Sequence, residues 1–312
     1  MSDRSAVSPA LTGDPYASRV LGHPSIVARQ DPVVYGHGSV GCPLTPDQVR
    51  AYDQRGFLVL KGLFSDTEVE RLQEEASRLR DEPGDIDRQT LVLEPDSREL
   101  RSIFRIHDSS ALFARLLTDA RLLSVARWLL GEAVYLHQSR LNYKPGFRGR
   151  EFFWHSDFET WHIEDGMPRM RALSMSISLT ENTEFNGPLM LVPGSHLRYV
   201  TCVGATPADH YKQSLRRQEY GVPDKDSVAT LIEEGGLEAA KGPPGTVTLF
   251  DCNVMHGSSG NITPFARTNA FAVYNAVSNR LVAPFGGRPP RPEFIAARET
   301  AAAVEPKGPL LA

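Results

Sequence analysis

The stretch from Trp154 to His162, Trp-His-Ser-Asp-Phe-Glu-Thr-Trp-His, constrains this chain more than any other. It sets His155 and Asp157 two positions apart. Far along the chain, the strand-like run Thr246 to Phe250 leads to His256 and Gly257. Two imidazoles and one carboxylate gathered on one side of a metal leave its other side open, and this is the ligand set of non-haem Fe(II) oxygenases. A fold that serves this set must bring two remote segments together. Residues i and i+2 of an extended segment point the same way, so the spacing predicts His155 and Asp157 side by side on one strand. Past His256, the small residues Gly257-Ser258-Ser259-Gly260 permit close approach of a ligand.

The chain has nine histidines, and most histidines in proteins hold no metal, so context has to make the choice. His162 with Glu164 and Asp165 offers an alternative ligand set, against a plainer capping or supporting role. Two imidazoles and a carboxylate also suit zinc, but no His-Glu-x-x-His pattern is present. Arg267 follows His256 on the next predicted strand. A dicarboxylate co-substrate needs a cation at its far end, and a guanidinium binds a carboxylate through two parallel hydrogen bonds. The plainer reading of Arg267 is a surface residue on an edge strand.

Residues 1–44 are rich in Pro, Gly and Ser and lack apolar periodicity. They read as an irregular arm that either wraps the domain or stays unfolded. Two capping boxes, Thr45 to Gln48 and Ser65 to Glu68, open helices ending near Gln54 and Arg80. Phe57–Leu60 between them reads as a strand. Residues 81–100 read as a loop with one strand at Thr90–Leu93. Leu112–Leu130 reads as two short helices broken around Asp119. After Gly131 the pattern turns to short strands: 134–143, 172–179, 189–192, 246–250 and 269–277. Gly and Pro punctuate them. This predicts a mainly β fold with flanking helices (α+β), built on a double-stranded β-helix or jelly-roll, cupin-like core. Residues 205–241 read as a helical excursion, and the chain from Pro284 as an exposed end. The expected organisation is an arm at 1–44, one domain at 45–300 and a tail at 301–312.

Net charge is -4, and basic residues are scattered, as at Arg78 and Arg80 or Arg216 and Arg217. This argues against a nucleic-acid partner. No apolar run approaches the length of a membrane span, and no signal-peptide core opens the chain. Three cysteines without metal-type spacing suit a reducing compartment. A soluble cytoplasmic protein with a small-molecule partner is the expectation.

The segment Phe152 to Arg169, with Gln138 to Lys144, Gly187 to His196 and His256 to Ser259, resembles the phytanoyl-CoA dioxygenase superfamily of Fe(II)/2-oxoglutarate oxygenases. Within it, the long run resembles the signature of the ectoine hydroxylases. The resemblance spans roughly residues 30–300 and leaves out the start of the chain. It implies a homodimer that hydroxylates ectoine to 5-hydroxyectoine with Fe(II), 2-oxoglutarate and O2, releasing succinate and CO2. His155, Asp157 and His256 match iron ligands. Asn142, Phe152, Ser258 and Arg267 match residues around 2-oxoglutarate. Gln138, Arg140, Thr160, Trp161 and Phe271 match the substrate-side wall. Those last types suit a small ring carrying an amidinium and a carboxylate. Other readings stay open from the residues alone: a related hydroxylase of another small zwitterion or of an acyl-CoA, a non-oxidative metal-cupin, or a binding module that kept the fold.

Overall fold

The computed structural model describes residues 13–215 and 221–311. Residues 1–12 of the arm and the Arg216-Arg217 pair lie outside them. The chain opens with β1 (Ser25–Ala28), α1 (Pro46–Arg55), β2 (Phe57–Leu60) and α2 (Asp66–Asp81). Both capping boxes form, with Thr45 and Ser65 accepting from the backbone N–H groups of Gln48 and Glu68. Next come β3 (Leu91–Leu93), β4 (Leu100–Phe104), α3 (Ile106–Ser109), α4 (Ala111–Leu116) and α5 (Ala120–Leu130). The break falls at Asp119, whose carboxylate caps α5 by accepting from Arg121 N–H. The sequence reading missed β4, because charged residues flank it. Strand β5 (Val134–Lys144) begins the β region, followed by β6 (Phe152–His155), α6 (Asp157–Thr160) and β7 (Ala172–Ser178). The remaining elements are β8 (Leu189–Leu191), β9 (Arg198–Thr201), α7 (Tyr211–Ser214), α8 (Lys225–Gly235), β10 (Glu238–Ala239), β11 (Val247–Asp251), β12 (His256–Ser258) and β13 (Arg267–Ala276).

Seven strands form the larger sheet in the order β2-β11-β7-β13-β5-β4-β3, and four form the smaller one, β10-β8-β12-β6. All pairings given for them are antiparallel. Phe57, Phe250 and Phe271 of the larger sheet pack with Leu189 and Leu191 of the smaller one in a single buried cluster. This is the jelly-roll sandwich that the sequence predicts. On its outer face the larger sheet meets the helices. Leu141, Tyr143, Met175, Ile177, Leu249 and Ala272 join Leu72, Leu79, Leu122 and Leu129 in the main core.

Strand alternation then fixes the inner face. Ser174, Ser176 and Ser178 of β7 and Asn269 of β13 occupy the positions between those core residues and are buried. In β5 the alternation is shifted once. Gln138 is in register with Val273, but Leu136 is in register with Tyr274, so His137 is an extra residue, a β-bulge. Val134 and Leu136 face the helices before the bulge, and Leu141 and Tyr143 do so after it. The shift therefore turns Gln138, Arg140, Asn142 and Lys144 to the inner face. A one-residue slip reverses every side chain beyond it.

Two sequence expectations need correction. The arm is not irregular throughout: β1 pairs antiparallel with β9, and Tyr16 is fully buried. The chain beyond Pro284 is no exposed end either. Ile295, Ala296, Ala297 and Leu310 are buried, and Ala297 N–H donates to the carbonyl of His137, serving the backbone group that the bulge leaves without a ladder partner. Composition misled here, because proline and alanine are as compatible with a packed extended segment as with a loose one.

Candidate active site

His155 ends β6 and His256 begins β12, and the two strands pair with these residues in register. Their rings lie 4.2 Å apart between centroids. Such close approach needs a small neighbour: a Cβ on Gly257 would stand 3.0 Å from the Phe152 carbonyl oxygen. Asp157 is not on the strand with His155. Ser156 is the last extended residue, and Asp157 opens α6. The predicted same-side strand geometry is thus replaced by a strand-to-helix turn, which still leaves Asp157 Oδ1 3.7 Å from His155 Nε2. His256 Nε2 lies 3.9 Å from the same oxygen.

Hydrogen bonds aim all three groups. His155 Nδ1 donates to the Phe153 carbonyl at 2.7 Å, and His256 Nδ1 donates to the Val254 carbonyl at 2.9 Å. Both Nε2 atoms are thereby left as lone-pair donors for a cation. Ser174 Oγ donates to Asp157 Oδ2 at 3.2 Å, leaving Oδ1 for the same cation. One ligand atom from each residue lies within 4.8 Å of the others, the single such cluster among the described residues. Burial, with His256 beside it, pushes the His155 imidazole down to about 4. Burial opposes ionisation of Asp157, yet the two imidazoles and Arg140 hold its carboxyl below the usual range. A neutral His155 imidazole and an ionised Asp157 carboxylate are in the protonation states that metal ligation requires. The alternative set fails: His162 is fully buried, with Nδ1 on the Met167 carbonyl and Nε2 on Asp14. Glu164 and Asp165 are paired with arginines.

From the triad a cavity opens, lined by Gln138, Arg140, Asn142, Phe152, Thr160 and Trp161 among the expected residues. Four inward rungs of the β5–β13 ladder supply much of the site: Gln138 with Val273, Arg140 with Phe271, Asn142 with Asn269, and Lys144 with Arg267. The Arg140 guanidinium lies over the Phe271 ring at 4.7 Å and donates to Gln138 Oε1. Thr160 ends α6, and Trp161 begins a π-helical turn to Asp165, a distortion common at functional sites. Thr160 Oγ1 is buried without a partner among the described residues. Trp161 is buried edge-on to His137, with ring centroids 5.1 Å apart. Asn142 accepts from Ser102 at 2.8 Å, and the Arg101 guanidinium covers the Phe152 ring at 3.8 Å.

Phe271, Ser258 and Arg267 do not line that cavity directly. Phe271 sits beneath Arg140, and the other two lie at the Lys144 end of the ladder. Arg267 is 5 % exposed, its Nε has no partner among the described residues, and burial with Arg101 nearby lowers its guanidinium to about 10. No carboxylate of the described residues lies within ion-pair distance of Arg267 or of Arg140. An unpaired buried charge costs several kcal/mol, roughly, so both arginines call for an anion that the described residues do not supply. Arg267 is therefore not a surface residue.

Sequence reasoning missed Lys144, Phe104, Arg291 and Ile295, the last three of which line the cavity. Gln138 Nε2 donates to the Ile295 carbonyl at 2.6 Å. No local pattern marks Arg291 or Ile295; the return of the tail across the site brings them in. Lys144 carried a signal in its inward parity with Asn142, had the bulge been known.

The phytanoyl-CoA dioxygenase (PhyH) family model matches residues 52–269. The ectoine dioxygenase of Sphingopyxis alaskensis is 59% identical over 96% of this chain and 98% of its own length. That of Halomonas elongata is 47% identical over 94% and 88%. A crystal structure of EctD from S. alaskensis with 2-oxoglutarate and 5-hydroxyectoine superposes with a TM-score of 0.88, at 55% identity, over 96% of this chain and 100% of that one. The carbocyclase SnoK of nogalamycin biosynthesis, 18% identical with a TM-score of 0.62, shares the fold. With this triad, this cavity and these likenesses, the chain belongs to the phytanoyl-CoA dioxygenase family and, within it, to the ectoine dioxygenases.

Proposed function

We propose that the protein hydroxylates ectoine to 5-hydroxyectoine with Fe(II), 2-oxoglutarate and O2, releasing succinate and CO2. One observation carries the reading: the His155, Asp157 and His256 ligand atoms converge beside a cavity lined by Arg140, and neither Arg140 nor the buried Arg267 at the far end of the ladder has a carboxylate of the described residues at ion-pair distance. The relatives named ectoine dioxygenase support the choice of substrate.

His155, Asp157 and His256 would hold the iron. Bound there, Fe(II) supplies O2 activation coupled to oxidation of the 2-oxo acid. The chain's own residues supply position and seclusion. Arg267, with Ser258, takes the distal carboxylate of 2-oxoglutarate, while Asn142 and Phe152 flank the co-substrate. Arg140 and Gln138 take the polar groups of ectoine, with Thr160 as a further donor. Trp161 gives an aromatic face to the amidinium, and Phe271 supports Arg140 from beneath. The Trp161 turn is pinned on both sides. Arg19 of the arm pairs with Glu159 at 2.7 Å and with Glu164 at 2.8 Å, and Arg291 of the tail pairs with Asp165 at 2.5 Å. This enclosure keeps bulk water from the reacting centre.

The same reading makes the protein a cytoplasmic homodimer acting in osmotic-stress protection, with the arm, the domain and the tail as one working unit. The three cysteines are free, as a reducing compartment requires. Light scattering on the purified protein tests the dimer.

The deciding experiment is succinate release by Fe(II)-loaded protein with 2-oxoglutarate and O2, with and without ectoine, alongside a mass spectrum of the ectoine. Ectoine-stimulated succinate with one added oxygen on ectoine supports the reading. Succinate without ectoine oxidation points to another substrate. Iron binding without succinate points to the non-oxidative metal-cupin or the binding module.

A further inference from the structure

The bulge in β5 puts two successive side chains on the inner face, which an unbroken strand cannot do. Gln138 goes to the cavity wall. His137 goes behind that wall, against Trp161. Its imidazole is 1 % exposed, and neither ring nitrogen has a hydrogen-bond partner among the described residues. A buried polar group without a partner costs stability. Hydrogen bonding to the described residues therefore does not account for this ring; its shape does.

His137 is the middle member of an aromatic row. Its ring centroid lies 5.1 Å from that of Trp161 at 68°, and 6.4 Å from that of Tyr135 at 77°. Both contacts are edge-to-face, an arrangement that aromatic pairs favour. The far end of the row is anchored. Tyr135 is fully buried with Ala297 and Ala301, and its hydroxyl accepts from Asn275 Nδ2 at 2.8 Å. The bulge itself is tied to the tail. Ala297 N–H donates to the His137 carbonyl at 2.9 Å, and the Gln138 side chain donates to the Ile295 carbonyl at 2.6 Å. A ring held in this way cannot retreat. Trp161, itself 3 % exposed, stands between the row and the cavity that it lines. The size of the side chain at position 137 therefore sets how deep the indole sits. Imidazole is the smallest aromatic ring: a phenyl pushes the indole into the cavity, and a methyl lets it sink away.

We propose that His137 is a positioning residue that determines substrate size: acting through Trp161, it sets the width of the cavity and so the ring size of the cyclic amidine that fits. The proposal rests on the reading of Trp161 as a substrate-side wall and adds the residue that fixes where this wall stands. No hydrogen bond or charge on His137 is needed for it. Size at position 137 is the variable.

The test compares wild type with His137→Ala, His137→Asn, His137→Leu and His137→Phe. Two probes are titrated by calorimetry into protein loaded with Fe(II) and 2-oxoglutarate without O2: ectoine, and its homologue with one more ring methylene. The readout is the ratio of the two affinities. His137→Ala is expected to shift it about tenfold towards the larger ring, the scale on which an apolar pocket senses one methylene. His137→Phe shifts it the other way and weakens ectoine itself. His137→Asn, polar but small, follows His137→Ala in direction. His137→Leu, apolar but close in volume to histidine, stays within about threefold of wild type. Iron content and 2-oxoglutarate affinity hold in all four. Should His137→Ala or His137→Phe fail to fold by circular dichroism, the Asn and Leu variants decide, because they separate size from polarity. A ratio that ignored side-chain size, that moved the same way in His137→Ala and His137→Phe, or that fell with His137→Leu as far as with His137→Phe would overturn the proposal. So would equal losses for ectoine and 2-oxoglutarate. Wild-type protein that bound neither ring would instead overturn the proposed function, a failure seen without any variant.

Discussion

Arg140 and Phe271 stand opposite each other on neighbouring strands, with the guanidinium 4.7 Å above the ring. The ring is an apolar floor for a cation that has no counter-ion among the described residues. Burial itself pulls the Arg140 guanidinium below its usual range, so an arriving carboxylate gains a desolvated, already oriented partner. Arg140→Met is expected to raise KM for ectoine at least about 30-fold, the scale of truncating one partner of a buried charge pair. KM for 2-oxoglutarate stays within about threefold of wild type. Steady-state kinetics varying each substrate in turn checks the separation.

Arg267→Met is expected to do the reverse. It removes the cation facing the co-substrate and weakens 2-oxoglutarate by a comparable factor, at least about 30-fold. Ectoine affinity holds. Arg267→Lys restores only part, because an ammonium cannot make the two parallel bonds of a guanidinium. Titration of 2-oxoglutarate into each Fe(II)-loaded variant is the measurement.

Replacing a triad residue should abolish both metal retention and turnover. Three protein ligands leave little redundancy, and His155→Ala or Asp157→Ala removes one outright. Iron per chain after dialysis is expected to fall from near one in wild type to near zero, with the fold intact by circular dichroism. Full retention of iron in either variant would sink the ligand assignment.

The iron-free protein should lose stability in mild acid. Burial, reinforced by Arg291, pushes the His137 imidazole from 6.5 down to about 3. The folded state therefore excludes a proton that the unfolded chain binds below pH 6.5. Stability is complete above that pH and falls as the pH drops towards 3, by about 1.4 kcal/mol per pH unit for such a group. Denaturant titrations between pH 7 and 4 should show this decline, and His137→Phe should make it shallower, with His155, pushed down to about 4, supplying part of the slope that remains. A wild-type stability that rose on acidification would contradict the assignment.

Removing the chain from Pro284 onward should cripple ectoine turnover while sparing most of the core. The cut takes away Arg291, which clasps Asp165 at the end of the Trp161 turn, and the Ile295 carbonyl that holds Gln138. The milder Arg291→Ala is expected to raise KM for ectoine about tenfold, the cost of one charge-assisted hydrogen bond, and to let succinate form without ectoine oxidation. The succinate-to-hydroxyectoine ratio is the readout.

The sequence alone determined the candidate donors and most of the elements. His155, Asp157, His256 and Arg267 are legible because ligand chemistry admits few residue types. The capping boxes at Thr45 and Ser65 and the break at Asp119 are legible because they are local hydrogen bonds. The strands with Gly and Pro between them announce the sandwich for the same reason. What only the tertiary structure decided is where side chains point once distant segments meet. The bulge at His137 turns Gln138, Arg140, Asn142 and Lys144 inward, yet nothing local marks it, since it exists only relative to β13. Asp157 reaches its two histidines from the first turn of a helix rather than along a strand. The arm and the tail, which look loose in composition, deliver Arg19 and Arg291 to the carboxylates around Trp161. Such long-range pairings follow from burying charge and backbone against partners far away in the chain, information that no short stretch of sequence contains.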